Sequence, residues 1–367
     1  MFELRLPSFG ADMDAAQFVQ WRAEPGQALE RGAIVAVVET QKGAIDVELW
    51  QAGTLARRVA EPGQRLPVGA LLAVLASPGE DWQALAVPAA APSSEPAAPA
   101  GQQVSPAARR RAAELGVDLA TLARQLPARP ITLADVEAAG APPDQRAEGM
   151  RAAIGAAMAR SKREIPHYYL GCEINVEAAL QALEAFNRQR AIGTRVLFVA
   201  LACRAIAQSL RETPALNGHC IDGRFQPAAA IHLGVVTALR HGGLLVPTLH
   251  DADRLSLTGL MEALNAAVAR ARQGQLRSSD LADSTITVSN LGEAGADQLY
   301  GVIYPPQVAL IALGSVAARP VVQQDGALGV ARTLHVSLAA DHRVSDGRIG
   351  ARFLAALRER LQHPELS

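Results

Sequence analysis

The chain has 367 residues, too many for one ordinary core of about 100–200 residues, so two or three folded units are expected. Its 35 Lys and Arg balance 36 Asp and Glu to a net charge of −1, which gives no electrostatic reason for a nucleic acid or an anionic membrane as partner. Three cysteines, Cys172, Cys203 and Cys220, share no close spacing, which argues against a disulfide framework or a cysteine zinc site and fits a reducing, cytoplasmic setting.

From the N-terminus, Met1 leads straight into the alternating Phe2–Pro7 with none of the apolar stretch of a signal peptide. The first eighty residues then repeat themselves. Glu24–Glu39 aligns at an offset of 37 with Glu61–Ala76 and matches at nine of sixteen positions. Each copy has a Pro-Gly turn, a second glycine and a short apolar run, which predicts a small all-β sandwich with internal two-fold symmetry over residues 1–79. Between the copies, Thr40-Gln41-Lys42-Gly43 separates the strand Ile34–Glu39 from the alternating strand Ala44–Trp50, which puts Lys42 at a hairpin tip. Residues 80–103 are dominated by Ala and Pro and read as a linker; a polyproline-like chain at about 3.1 Å per residue would make it an arm tens of ångströms long.

Residues 104–140 form a short helical pattern. Ser105 is placed as an N-cap with Pro106 at N1, the first helix ends at Gly116, and a second begins near Thr132. Arg109, Arg110, Arg111 and Arg124 give it a basic face suited to an acidic partner. A short linker, 141–147, precedes the last unit, 148–367. There, helices are predicted at Met150–Lys162, Val176–Arg188, Arg195–Leu210, Ser256–Arg272 and Asp346–Leu361. Strands are predicted at Tyr168–Ile174, Ala229–Leu239, Thr285–Val288, Val308–Gly314 and Thr333–Ala339, giving an α/β sandwich on a mixed sheet. No run reaches the roughly 18 uncharged apolar residues of a bilayer span, because Val196–Cys203 stops at Arg204 and the run after Val302 meets Pro305, Pro306 and Gln307.

Two polar turns after apolar strands could carry chemistry. His342 lies in Asp341-His-Arg-Val-Ser-Asp-Gly347, where a strand ends just before a helix, and histidine is the side chain suited to taking a proton at neutral pH. Asp341, Arg343 and Asp346 surround it with charges that can fix its tautomer or lock the loop. Ser289 follows the strand Thr285–Val288. No nucleophile elbow frames it, so hydrogen bonding to a developing oxyanion suits it better than attack, the alternative being that Ser289 and Asn290 only shape the turn. The P-loop, dinucleotide and His-Glu-x-x-His signatures do not occur.

Taken together, the three units resemble the dihydrolipoyl acyltransferases, the core components of 2-oxo acid dehydrogenase complexes. Val38–Glu48 resembles a lipoyl-attachment hairpin with Lys42 as the modified lysine; a biotin carrier is the rival, but Gln41 and Gly43 stand where biotin sites carry methionines. Ser105–Arg110, Glu114–Asp118 and Ile131–Val136 resemble a peripheral-subunit-binding domain. Ser161–Leu170, Gly243–Pro247 with Ala252–Leu257, Thr287–Gly292 and Asp341–Gly347 resemble the catalytic domain, whose fold is that of chloramphenicol acetyltransferase.

The resemblance implies transfer of an acyl group, taken as acetyl, from lipoate carried covalently on Lys42 to coenzyme A. His342 is implied as the base, Ser289 as the oxyanion donor and Asp346 as the residue that holds the loop and its arginine, with no metal. It further implies a 2-oxo acid decarboxylase subunit and dihydrolipoamide dehydrogenase as partners, and a trimer or larger cage with the site between subunits. Two alternatives are a non-catalytic scaffold and a free-standing acyltransferase.

Overall fold

The computed structural model describes residues 1–9, 13, 15–40, 43–77, 80–85, 143–238, 244–273, 276–292, 296–323 and 325–366, with isolated positions between 104 and 136. Lys42, Arg109, Arg110 and Arg124 lie outside the described residues.

The first unit comprises β1 (Phe2–Arg5), β2 (Ala15–Trp21), β3 (Ala28–Leu29), β4 (Ile34–Thr40), β5 (Gly43–Glu48), β6 (Gly53–Arg58), β7 (Arg65–Pro67) and β8 (Leu71–Ala76). They form two sheets, β1-β8-β6-β3 and β5-β4-β2-β7, face to face around Phe18, Val38, Ile45, Leu55 and Leu75. The repeat is a structural one. Gly26 and Gly63, 37 residues apart, both adopt φ near +87° (86° and 88°), and their amides donate to Leu55 and Phe18, whose numbers also differ by 37. A side chain at either glycine would be forced into the left-handed region, so the Pro-Gly turn fixes where each half folds back. The short helix α1 (Trp82–Leu85) closes this unit and lies inside the stretch read from composition as linker. Trp82 packs over Gly26, where a Cβ would come within 3.0 Å of its ring.

Of the middle unit, Val104, Ala108, Ala112, Leu119, Leu122, Ile131 and Val136 gather into one small apolar cluster.

The last unit begins with α2 (Pro143–Glu164), five residues before the expected boundary, and β9 (His167–Asn175). Then come α3 (Glu177–Asn187), α4 (Phe198–Leu210), the hairpin β10 (Gly218–Ile221) and β11 (Arg224–Pro227), and β12 (Leu233–Ala238). β13 (Leu244–Leu245), β14 (Thr248–Leu249), α5 (Leu257–Gln273), β15 (Leu276–Arg277) and α6 (Ser278–Leu281) lead to β16 (Ile286–Asn290). β17 (Ala309–Leu313), β18 (Ala317–Val322), β19 (Leu328–Asp341) and α7 (Gly347–Gln362) complete it. The central order is β13-β12-β16-β17-β19-β18, with β9 also on β19; β12, β16 and β17 run parallel and β19 runs against β17, the mixed sheet expected.

Strand alternation sends Val288, Ile311, Val336 and Leu338 to one face, where α3, α4, α5 and α7 cover them. Leu310, Ala312 and Ala339 face the other way, under Ile165, Ile303 and Tyr304. The segment Ile192–Leu210 is long and apolar enough to cross a bilayer, but nine of the thirteen residues of α4 within it are buried, and they include Ala200–Cys203 and Ala205–Ala207 of the main core. Its hydropathy therefore serves the core of this fold.

Candidate active site

The fourteen-residue strand β19 ends at Asp341 and α7 starts six residues later, so Asp341–Asp346 form a short loop anchored at both ends. Asp341 is fully buried and accepts from the Arg343 guanidinium (Nε to Oδ1, 3.0 Å; Nη2 to Oδ2, 2.7 Å) and from its backbone amide at 2.9 Å. A buried carboxylate left without this partner would be costly, so the pair holds the loop's shape. At the far end Asp346 caps α7, its Oδ1 accepting from the amides of Arg348 (2.9 Å) and Ile349 (3.0 Å). The Ile349 and Arg348 amides, together with nearby His342, hold the Asp346 carboxyl below its usual range. The expected Arg pairing of this loop thus belongs to Asp341, and Asp346 acts through backbone amides. Gly350 completes the anchoring. A Cβ there would lie 2.7 Å from Leu170 and 3.0 Å from Leu338, so glycine lets the first turn of α7 rest against β9 and β19 without displacing those side chains.

His342 stands exposed in this loop, its amide donating to the Pro166 carbonyl at 2.9 Å. Its imidazole meets Tyr168 edge-on, with ring centroids 5.2 Å apart. The Tyr168 hydroxyl is tied to the Ser345 hydroxyl at 2.9 Å, and burial raises the phenol's pKa. No hydrogen bond holds either ring nitrogen of His342 among the described residues, which leaves them open to a substrate proton. Tyr168 and Ser345 were not singled out from the sequence as site residues, although both lie within the quoted motifs Ser161–Leu170 and Asp341–Gly347. Neighbouring His167, paired in register with Asp341, is a structural histidine. Its Nδ1 donates to the Ile165 carbonyl (2.8 Å), its Nε2 accepts from the Ile303 amide (3.1 Å), and burial lowers its pKa. A cavity of about 340 Å³ opens beside Arg343, walled by Ser8 and Met13 of the first unit, Arg160 and Glu164 of α2, and Pro305.

Ser289 is half-buried in β16, and no hydrogen bond to its hydroxyl occurs among the described residues. Asn290 turns the chain after it, its Oδ1 accepting from the Gly292 amide at 3.0 Å. Ser289 and His342 are not neighbours within one chain. Register places Ser289 beside Ala312 and Ala312 beside Ser337, and His342 follows Ser337 by five residues. Two strand spacings and five residue rises put the two Cα atoms about 20 Å apart. Ser289 also shares the sheet face of Leu310 and Ala312, whereas His342 touches Tyr168, which packs on the helix-covered face.

In the first unit, Thr40 pairs with Gly43 at the last register position of the β4–β5 hairpin, and Gln41 and Lys42 join them in sequence.

An exposed histidine follows the last strand of a mixed sheet, and a separate all-β unit is joined to that sheet in the same chain. The chain belongs to the 2-oxoacid dehydrogenases acyltransferase family, whose catalytic-domain model matches residues 140–367; a second model, described as biotin-requiring enzyme, matches residues 2–75. It is similar to the dihydrolipoyllysine-residue acetyltransferase component of the pyruvate dehydrogenase complex of Staphylococcus aureus, 28% identical over 425 aligned residues covering 100% of this chain and 98% of that protein. It is also similar to the lipoamide acyltransferase component of the branched-chain alpha-keto acid dehydrogenase complex of Bacillus subtilis, at 27% identity over 98% of this chain and 97% of that one. Among solved structures, the probable dihydrolipoamide acetyltransferase of Listeria monocytogenes superposes with a TM-score of 0.55 at 30% identity, covering 60% of this chain and 93% of the other. The cubic core of a pyruvate dehydrogenase multienzyme complex superposes at 0.54 with 24% identity, a likeness of fold. The chain is therefore an acyltransferase whose carrier group is lipoate, held covalently on the first unit, with coenzyme A as co-substrate.

Proposed function

We propose that the chain moves an acetyl group from lipoate on Lys42 to coenzyme A, with His342 as general base. The observation that carries this reading is the free imidazole of His342 in a loop fixed at one end by Asp341–Arg343 and at the other by the Asp346 cap. Bound lipoate supplies the thioester that delivers the acyl group. His342 takes the proton of the coenzyme A thiol at an open ring nitrogen, the sulfur attacks the acyl carbon, and the proton passes to the dihydrolipoyl sulfur as its bond to that carbon breaks. A free thiol of pKa about 8.5 is only a few per cent ionised at neutral pH, so a placed base acts directly on the rate. The Ser289 hydroxyl donates to the carbonyl oxygen as charge develops there, an interaction typically worth about 3–4 kcal/mol. Asp346 keeps His342 in place and takes no proton.

Base and oxyanion donor must each lie within about 3 Å of the reacting atoms, and in one chain they are about 20 Å apart. This supports a site completed by a second copy, His342 from one chain and Ser289 from the next, in a trimer that can build a larger cage. The domain division that goes with this reading is a lipoyl unit that closes with α1 at Leu85, a linker from there to 103, a subunit-binding unit at 104–140 and a catalytic unit that begins with α2 at Pro143. Its partners are a 2-oxo acid decarboxylase and dihydrolipoamide dehydrogenase, the latter docking on the basic face of Arg109, Arg110 and Arg124, in the cytoplasm.

The test is a panel of acyl-coenzyme A substrates assayed with free dihydrolipoamide, alongside mass spectrometry of the native chain for the roughly 188 Da of a lipoyl group on Lys42. Acetyl should give the highest kcat/KM. A preference for a branched acyl group would move the chain toward the Bacillus subtilis relative, and an unmodified Lys42 would remove the arm.

A further inference from the structure

Among the contacts between the carrier unit and the catalytic unit is a pairing of strands that the acyl chemistry does not use. β5, the strand that leaves the Lys42 hairpin, is an edge of its own sheet, and its free side is taken by β15 of the catalytic unit in parallel register, Ile45 with Leu276 and Asp46 with Arg277. The pairing continues one step further. The Glu48 amide donates to the Ser278 hydroxyl at 3.0 Å, the Ser279 amide donates to the Glu48 carboxylate at 3.3 Å, and Arg277 lies 3.6 Å from the same carboxylate.

Glu48 is 6% exposed. Alternation turns Ile45 and Val47 into the carrier's core and Asp46 and Glu48 outward, so the catalytic unit covers the outward carboxylate of Glu48. Leu245 and Leu281 of the catalytic unit join the carrier's apolar cluster, 3% and 7% exposed. The receiving segment is itself fixed: Arg270 of α5 holds Asp280 (Nε to Oδ2, 2.9 Å), which accepts from the Arg277 amide, and the Ser279 carbonyl is bonded to His250 at 2.7 Å.

We propose that Leu276–Leu281 with Leu245 is a docking site for the chain's own carrier unit, a parked position that the carrier occupies between transfers. The mode is strand addition to a sheet edge, in which main-chain bonds give affinity and side chains give specificity. Acidic Asp46 and Glu48 face Arg277 and the Ser279 amide, so the two surfaces are complementary in charge. The occupant is the chain's own unit because the contact is small. Joining two units in one chain keeps them at about millimolar effective concentration of each other, which a weak dock needs and a freely diffusing partner lacks.

The test uses the full chain carrying Asp46→Cys and Arg277→Cys, positions paired in register and so within disulfide reach. Mild oxidation should give an intrachain disulfide, read as a faster monomer band on a non-reducing gel, with the single variants as controls for Cys172, Cys203 and Cys220. Adding Glu48→Arg should cut its yield at least about tenfold, since it takes the acceptor from the Ser279 amide and forces a guanidinium into the buried place of the carboxylate. A crosslink between chains, no crosslink, or a yield indifferent to Glu48→Arg would overturn the proposal.

Arg277→Glu gives a second reading. Hydrogen exchange at the Asp46 and Glu48 amides, which face the catalytic unit, should lose protection while Ile45 and Val47, which face β4, keep theirs, and unchanged protection would count against the dock. Neither measurement requires acyl transfer, so an inactive chain would sink the proposed function and leave this inference standing on its own result.

Discussion

His342 donates only its backbone amide to the fold, so its loss should be felt in the chemistry and not in stability. His342→Ala should lower kcat for acyl transfer to free dihydrolipoamide by about 10²–10⁴-fold with the unfolding midpoint unchanged. Ser289→Ala should cost about 10²-fold in kcat with little change in KM for either thiol, because an oxyanion donor acts only in the transition state. A rise in KM alone would make Ser289 a binding residue. Asp346 separates a cap from a proton carrier. Asp346→Asn keeps an acceptor for the Arg348 and Ile349 amides and should retain most activity, while Asp346→Ala should lower both the unfolding midpoint and kcat. If Asp346→Asn lost as much as His342→Ala, the carboxylate would belong to the chemistry.

Between residues and sheet, the decisive element is α7, whose close approach fixes the loop before it. Gly350→Val would press branched methyls against Leu170 and Leu338 and should destabilise the chain by about 1–3 kcal/mol while lowering kcat through the displaced His342 loop. Unchanged stability and activity would contradict that packing. The long elements were legible because their patterns are local: the 37-residue repeat gave the sandwich, and the apolar periodicity of Phe198–Leu210 gave α4. β18 was not read, since Ala317–Val322 alternates weakly, contains Pro320 and is a strand by pairing with the first half of β19. The hairpin Gly218–Pro227 pairs within itself across the Asp222-Gly223 turn, in short strands with no apolar alternation, and the two-residue β15 was missed because its partner lies in another unit. At the site, the Asp341–Gly347 motif marked the loop, but which acid holds Arg343 was a matter of geometry.

Across the whole molecule, three histidines, His167, His232 and His335, have pKa values lowered, each mainly by burial. A histidine depressed in the folded state leaves the unfolded chain holding more protons below pH about 6.5, so stability is full above that value and falls as the pH drops through it. The urea midpoint should therefore decline between pH 7.5 and 5, before the carboxylates titrate; a flat or rising midpoint would contradict the burial of these rings. The arm is tested separately: Lys42→Ala should leave transfer to free dihydrolipoamide intact and abolish turnover of the assembled complex.

The central claim is that one site is built from two chains, and mixing two inactive variants tests it most directly. His342→Ala and Ser289→Ala chains, coexpressed with different tags and purified through both, are assayed with acetyl-coenzyme A and dihydrolipoamide. In a closed cyclic trimer that carries both tags, one site in about three pairs an intact His342 with an intact Ser289 from its neighbour, so activity should return to about a third of the unmodified level. Activity in the mixture no higher than the average of the two variants alone would place both residues in one chain's site and contradict the account.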